Sequence, residues 1–168
     1  RDLMMGLVGS EMCISDSPEP LAPFADLMVI GEAEAVLEPL MALLQQAVGT
    51  ERTPLLARIV ASLPGCYVPA MYRFHHDEQD MLSAIEVQPG APQRVRKVIA
   101  PPMTQAAHST LLSPHAELGM YMVELGRGCS RGCRFCAAGY IYRPPRLWSA
   151  EAIVAGLADR PPSMARIG

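Results

Sequence analysis

Three cysteines lie within eight residues near the end of the chain, in the order Cys129-x-x-x-Cys133-x-x-Cys136. Cysteine thiolates are soft ligands that suit the iron of iron–sulfur clusters. This spacing places three sulfurs on one short loop, where they could hold three irons of a 4Fe-4S cube and leave the fourth iron open. Phe135 directly precedes the last cysteine and would shield one side of such a cluster. The first hypothesis is therefore a cluster-binding loop.

A structural zinc site is the main alternative for these cysteines. Such a site is closed by four ligands, commonly in two Cys-x-x-Cys pairs, and only the pair Cys133 and Cys136 is present. Cys13, Cys66 or a histidine would have to supply a fourth ligand from a distance. A bacterial ferredoxin run, Cys-x-x-Cys-x-x-Cys, has a different spacing. Three metal-free thiols are the remaining interpretation.

The segments around the cysteines predict a strand, a loop and a helix. Residues 120–125 form an apolar run that predicts a strand leading directly into the cysteine loop. Ser149 is a good N-cap with Glu151 in the first turn, so a helix is predicted to about Asp159. A further strand is predicted to begin near Met164. We therefore expect one βα unit of a barrel or of a doubly wound sheet.

The upstream sequence predicts a second α/β region. Apolar runs at 3–8 and 27–30 predict short strands, and the second suits a buried parallel strand. Apolar residues have helical spacing over 32–48, where Pro39 marks a kink or a restart, and another helix is predicted at 53–63. Extended segments are predicted at 67–74, 82–87 and 95–99, followed by a loop or linker at 101–114.

Composition and charge exclude several classes of protein. The chain of 168 residues is 50% hydrophobic and 18% charged, which is ordinary for a protein with a buried core. Its formal net charge of −3 gives no field that would recruit nucleic acid. No apolar run reaches the ~20 residues of a membrane span. Five cysteines, three of them clustered, in a chain without a signal peptide predict metal binding in a reducing compartment, which we take to be the cytoplasm.

Basic residues crowd the cysteine loop, and no Asp or Glu lies between Glu124 and Glu151. They could balance the negative charge of a cluster or bind an anionic substrate. The alternative is a solvated basic loop. The residues are Arg127, Arg131, Arg134, Arg143 and Arg146.

The cysteine spacing, with an aromatic residue before the last cysteine, resembles the signature of the radical SAM superfamily. The wider string at 123–146, VELGRGCSRGCRFCAAGYIYRPPR, is similar to a narrower group of uncharacterised Fe–S oxidoreductase-like proteins. That group carries a cobalamin-binding-like domain ahead of the radical SAM barrel. Two upstream strings are also similar to it: SPEPLAPFAD at 17–26, and VIGEAE at 29–34, where Ala33 departs from a Gly-Glu-Gly-Glu turn.

This resemblance implies a set of cofactors and partners. Cys129, Cys133 and Cys136 would ligate a 4Fe-4S cluster whose open iron binds S-adenosylmethionine. One electron would then cleave the sulfonium, and the resulting 5′-deoxyadenosyl radical would abstract hydrogen from a substrate. The implied partners are an unidentified small-molecule or macromolecular substrate and an electron donor such as flavodoxin or ferredoxin. Cobalamin would be a further cofactor, although no Asp-x-His-x-x-Gly string provides a histidine ligand for cobalt.

The resemblance also predicts an α/β chain of three parts. These are the tail of a doubly wound cobalamin-binding-like domain at 1–48, a linking segment with a helix and short strands at 49–118, and the first βα unit of a radical SAM, partial TIM-like barrel at 119–168. A full barrel needs roughly 200 or more residues, so we expect a fragment of a longer enzyme that is inactive by itself. Two other classes stay open: a corrinoid- or substrate-binding module with incidental cysteines, and a structural cysteine–zinc module for protein contacts.

Overall fold

The computed structural model describes residues 18–100, 104–113 and 119–168. The predicted strand at 3–8 and Cys13 lie outside these residues. The chain divides into two compact units, Arg1–Pro101 and Pro102–Gly168. The domain boundaries predicted after residues 48 and 118 do not coincide with this division and stay predictions.

The described part of the first unit contains two α-helices, α1 at Leu37–Gln46 and α2 at Arg52–Ser62. They confirm the two predicted helices, except that α1 begins later. The preceding residues form a 3-10 helix at Ala33–Ala35. Pro39 is the third residue of α1, where its missing N–H breaks no helical hydrogen bond. Pro39 therefore marks the start of a helix and not a kink.

A short antiparallel pair of strands joins β1 (Met28–Val29) to β2 (Cys66–Tyr67). Met28 lies opposite Tyr67, and Val29 lies opposite Cys66. The prediction that the run at 27–30 is a parallel strand was therefore wrong about this pairing. Two helices separate β1 from β2. A single crossover helix reverses the chain twice and gives a parallel pair, whereas a second helix adds a third reversal and gives an antiparallel pair.

The predicted extended segment at 95–99 contributes one parallel bridge, between Gly31 and Val98. The N–H of Glu32 donates to the carbonyl oxygen of Val98 at 3.0 Å, and the N–H of Val98 donates to that of Ile30 at 2.9 Å. Side chains from both helices, β2 and this bridge share one apolar core. Its least accessible members are Val36, Ile59, Cys66 and Val68.

An antiparallel hairpin of β3 (Tyr72–His76) and β4 (Leu82–Val87) follows. It confirms the predicted extended segment at 82–87 and the end of the one at 67–74, which a 3-10 helix at Pro69–Met71 interrupts. Asp77 organises its turn, because Oδ1 accepts hydrogen bonds from the backbone N–H groups of Gln79 at 3.0 Å and Met81 at 2.9 Å. Most residues of the two strands are exposed. The hairpin therefore adds little to the core.

Among its described residues, the second unit contains two α-helices, the one-turn α3 (Ala138–Ile141) and α4 (Ala150–Ala158). α4 begins and ends as predicted: the hydroxyl of Ser149 accepts a hydrogen bond from the N–H of Ala152 at 3.2 Å, and Asp159 is the C-cap. The core of this unit consists of Ala106, Tyr121 and Val123, with Trp148, Ile153, Leu157 and Met164 packed against them.

The predicted strand at 120–125 is present as isolated bridges, one of which pairs Tyr121 in parallel with Ile167. The N–H of Tyr121 donates to the carbonyl oxygen of Arg166 at 2.9 Å, and the N–H of Gly168 donates to that of Tyr121 at 2.9 Å. The chain thus runs from Tyr121 through α4 to a parallel neighbour. This is the connection expected of a βα unit.

The described residues therefore form a mixed α/β structure with small sheets, each of two strands. In the described part of the chain, every helix is too short or too polar to span a bilayer.

Candidate metal centre

A two-stranded stem closes the loop that carries the three cysteines. β5 (Gly126–Arg127) lies just before Cys129 and pairs antiparallel with β6 (Arg146–Leu147). Gly128 extends the stem with a φ of +89°, a left-handed conformation that favours glycine. A Cβ atom at this position would collide with the carbonyl oxygen of Tyr142. Glycine at 128 therefore allows the two ends of the cysteine loop to meet.

The one-turn helix α3 lies against the first half of this loop. The carbonyl oxygen of Ala137 accepts hydrogen bonds from the N–H groups of Tyr140 and Ile141, both at 2.9 Å. Gly139 is buried in the helix, and a Cβ atom there would collide with the carbonyl oxygen of Arg131. Two glycines thus permit the backbone contacts that fold the loop.

The three loop cysteines are unpaired thiols with access to solvent. Cys133 is exposed, and Cys129 and Cys136 are partly exposed. The N–H of Arg131 donates to Cys129 Sγ at 3.4 Å, and hydrogen bonds to sulfur are among the interactions that tune iron–sulfur sites. Phe135 is 93% exposed, so its shielding of a cluster stays a prediction.

The cysteines fit an iron–sulfur cluster by their chemistry. Three soft, accessible thiols on one loop are suitable ligands for cluster iron. Within the described residues, no three Cys, His, Asp or Glu side chains lie close enough to hold a metal ion. Metal-binding loops commonly reach their final shape on binding.

Cys66 differs from the loop cysteines. It is 2% exposed in the core of the first unit, and burial raises the pKa of its thiol from 9.0 to about 11. Metal ligation needs the thiolate, so this environment disfavours Cys66 as a metal ligand. Cys13, another candidate for a fourth zinc ligand, lies outside the described residues.

The N-terminal part of the chain is similar to a known family. Residues 4–69 match the family model described as radical SAM proteins, N-terminal. This match supports an assignment of the chain to the radical SAM superfamily. The matched region lies before the cysteine loop, so its support is independent of the three-cysteine pattern.

The chain is also 50% identical over 40 residues to the uncharacterized protein MJ0966 of Methanocaldococcus jannaschii. The similarity covers 21% of the present chain and 9% of that protein. It therefore spans only a small part of the relative's length. No solved structure matches the chain significantly.

The arginines around the cysteine loop lie in different environments. Arg131, Arg134 and Arg143 are exposed, and the guanidinium carbon of Arg143 lies 5.2 Å from the ring centroid of Tyr140. Arg127 is partly buried and is engaged with a carboxylate. The exposed arginines are compatible both with a solvated basic loop and with an anionic partner, so both interpretations stay open.

The sequence analysis did not identify two residues at the stem, Glu124 and Trp148. The carboxylate of Glu124 accepts hydrogen bonds from Arg127 Nε at 2.8 and 2.9 Å and from Trp148 Nε1 at 3.2 Å. The three-residue spacing of Glu124 and Arg127 was an available signal. Nothing local indicated Trp148, because its approach to Glu124 depends on the pairing of β5 with β6.

Proposed function

We propose that this chain carries the cluster-binding segment of a radical SAM enzyme, in which Cys129, Cys133 and Cys136 hold a 4Fe-4S cluster. The observation that carries the proposal is the placement of three accessible thiols on one stem-closed loop, between Tyr121 and its parallel partner Ile167. The family match upstream supports the same assignment.

The chemistry that a bound cluster and S-adenosylmethionine would supply is the one-electron generation of a carbon radical for hydrogen abstraction. The roles of the protein residues follow from their positions. The three cysteines provide soft ligands, and Gly128 and Gly139 permit the loop to fold. The substrate is unidentified, and an electron donor of the flavodoxin or ferredoxin kind is the proposed partner.

The finer architecture belongs to the same proposal. The parallel contact between Tyr121 and Ile167, with α4 as the crossover, supports residues 119–168 as the first βα unit of a radical SAM barrel. Residues 1–48 are proposed as the tail of a cobalamin-binding-like domain and 49–118 as a linking segment. Cobalamin stays a further proposed cofactor, and the cysteine cluster suits the reducing environment of the cytoplasm.

Anaerobic iron–sulfur reconstitution of the 168-residue chain tests the proposal. We expect about four irons and four sulfides per chain, and after reduction an EPR signal that S-adenosylmethionine perturbs. Alanine in place of Cys129, Cys133 or Cys136 should abolish the cluster. The matched control is Cys66→Ala, which removes a buried thiol and should leave the iron content unchanged.

Other outcomes would contradict the proposal. If Cys133→Ala kept its full iron content, the assignment of the three cysteines as cluster ligands would be contradicted. Uptake of zinc with refusal of iron would favour the structural cysteine–zinc module. Corrinoid bound without iron would favour the binding module in which the cysteines are incidental.

A further inference from the structure

Glu124 joins the two strands of the stem that closes the cysteine loop. Its carboxylate accepts hydrogen bonds from Arg127 on β5 at 2.8 and 2.9 Å and from Trp148, just after β6, at 3.2 Å. The guanidinium carbon of Arg127 lies 5.9 Å from the ring centroid of Trp148. These three residues, here called the stem bridge, each contact the other two.

The stem bridge lies where the loop begins and ends. The N–H of Trp148 donates to the carbonyl oxygen of Leu125 at 3.1 Å, which continues the pairing of β5 with β6. The side chains of Arg127 and Glu124 are only 18% and 26% exposed. A carboxylate that accepts hydrogen bonds in a partly buried site is held more firmly than an exposed surface pair.

We propose that Glu124 is a positioning residue for the cysteine loop: by holding Arg127 and Trp148 together it keeps the stem closed while the three sulfurs come together on a cluster. This inference rests on the proposed function. Metal-binding loops commonly reach their final shape on binding, so we expect the cysteine loop to change shape on loading. A closed stem confines that change to the loop itself and lowers its entropic cost.

Glu124 also controls charge beside the ligands. It is the last carboxylate before a stretch that contains five arginines and reaches Glu151. Its partner Arg127 lies two residues before Cys129, so loss of the carboxylate makes the net charge beside the ligands more positive. Reduction potentials of iron–sulfur clusters depend on nearby charge and on solvent exposure.

Paired substitutions separate positioning from charge. Glu124→Gln removes the negative charge at nearly constant size, and Arg127→Gln removes the positive one. The control Glu86→Gln alters a carboxylate that also has a basic partner, His75 Nε2 at 3.1 Å, but lies on the hairpin of the first unit. The measurements on the reconstituted chain are the rate of iron release to a chelator and the EPR-monitored reduction midpoint.

Both stem variants should release iron about tenfold faster than the unsubstituted chain, a typical cost of removing a group that supports metal ligands. Glu86→Gln should release iron at the unsubstituted rate. The midpoint should move to more positive potential in Glu124→Gln and to more negative potential in Arg127→Gln. A purely structural disturbance of the stem has no reason to move the two midpoints in opposite directions.

The metal-free chain gives a separate measurement of the stem. Trp148 is the single tryptophan, so its fluorescence reports the stem bridge directly. Glu124→Gln should shift this emission to longer wavelength and speed amide hydrogen exchange over 125–148. Should Glu124→Gln fail to fold, Trp148→Phe keeps an aromatic ring, although a smaller one, and removes the N–H donor, and iron release should still accelerate.

The outcomes distinguish the two proposals. Normal loading of the unsubstituted chain with unchanged iron release in Glu124→Gln overturns the positioning role and leaves the cluster assignment intact. Failure of the unsubstituted chain to take up iron overturns the proposed function. In that case, unchanged emission and hydrogen exchange in the metal-free Glu124→Gln chain would also overturn closure of the stem by Glu124.

Discussion

In the first unit, Ile59 and Val36 are almost completely inaccessible to solvent, whereas in the cysteine loop Phe135 and Leu147 are almost fully exposed. Apolar burial accounts for the shape of the first region. The loop instead depends on backbone contacts at glycines and on the partly buried carboxylate of Glu124. One region is therefore a packed core, whereas the other is a loop closed at its stem, and metal-binding loops commonly reach their final shape on binding.

The largest effect that this comparison predicts comes from truncating a large apolar side chain in each region. Ile59→Ala should destabilise the first unit by about 3 kcal/mol, because it removes buried methyl groups and leaves a cavity. Phe135→Ala should change stability by less than about 0.5 kcal/mol, as is usual for an exposed side chain. Denaturant unfolding, monitored by circular dichroism and by hydrogen exchange in α2, measures the stability change of each variant. Equal costs would contradict the contrast between the regions.

A smaller effect is expected from adding one methyl group to the loop. Gly128→Ala combines a left-handed φ with a collision against the backbone of Tyr142, so it should destabilise the stem by about 2 kcal/mol. The nearest atom to a Cβ at Gly132 is Arg143 Nη2 at 3.8 Å, an ordinary contact. Gly132→Ala is therefore the matched control.

Unfolding monitored by the fluorescence of Trp148 reports the stem in both glycine variants. Gly128→Ala should also lose most of its iron after reconstitution, and Gly132→Ala should keep it. Comparable stability and iron content in the two variants would show that backbone contact at residue 128 does not shape the loop.

The sequence predicted local elements better than their pairing. Both helices of the first unit, the cap at Ser149 and the hairpin segments followed from apolar spacing and from capping residues. The direction of the strand at 27–30 could not be predicted from the sequence, because an apolar run has the same pattern in a parallel and an antiparallel sheet. Direction was set by the two intervening helices.

The candidate site shows the same limit. The candidate ligands could be identified from the sequence because Cys129, Cys133 and Cys136 lie within eight residues of one another. Their role as ligands stays a prediction. The stem bridge could not be predicted from the sequence, since Glu124 contacts Trp148 only when β5 is paired with β6. Spacing identifies residues that can do chemistry, whereas the residues that hold them in place depend on tertiary contacts.

The alkylation rates of cysteines in the two regions should differ by about tenfold or more, because alkylation requires an accessible thiolate. At pH 8, Cys133 should react with iodoacetamide faster than Cys66, whose thiol is buried with its pKa raised to about 11. Peptide mapping by mass spectrometry assigns each labelled cysteine. Equal labelling rates in the folded, metal-free chain would contradict the burial of Cys66.

The same thiol predicts a pH dependence of stability for the first unit. The pKa of Cys66 is higher in the folded chain than its ordinary value of 9.0, so the unfolded chain loses this proton first. Its contribution to stability is complete below about pH 9 and declines as the pH rises toward about 11. Cys66→Ala should flatten this decline, and a decline of the same slope in the variant would assign it to other groups.

The smallest effect compares one helix start in each unit. Ser149 caps α4 through its hydroxyl, whereas Glu51 at the start of α2 makes no side-chain capping bond. Ser149→Ala should therefore cost about 1 kcal/mol, and Glu51→Ala should cost less than about 0.5 kcal/mol. Because α4 packs beside Tyr121, whose hydroxyl donates to the carbonyl oxygen of Gly156 at 2.7 Å, loss of the cap should loosen the parallel contact of Tyr121 with Ile167. We expect faster amide hydrogen exchange at Tyr121 and Gly168 in Ser149→Ala and an unchanged rate in Glu51→Ala. Unchanged exchange in both variants would show that the cap does not stabilise the contact of Tyr121 with Ile167.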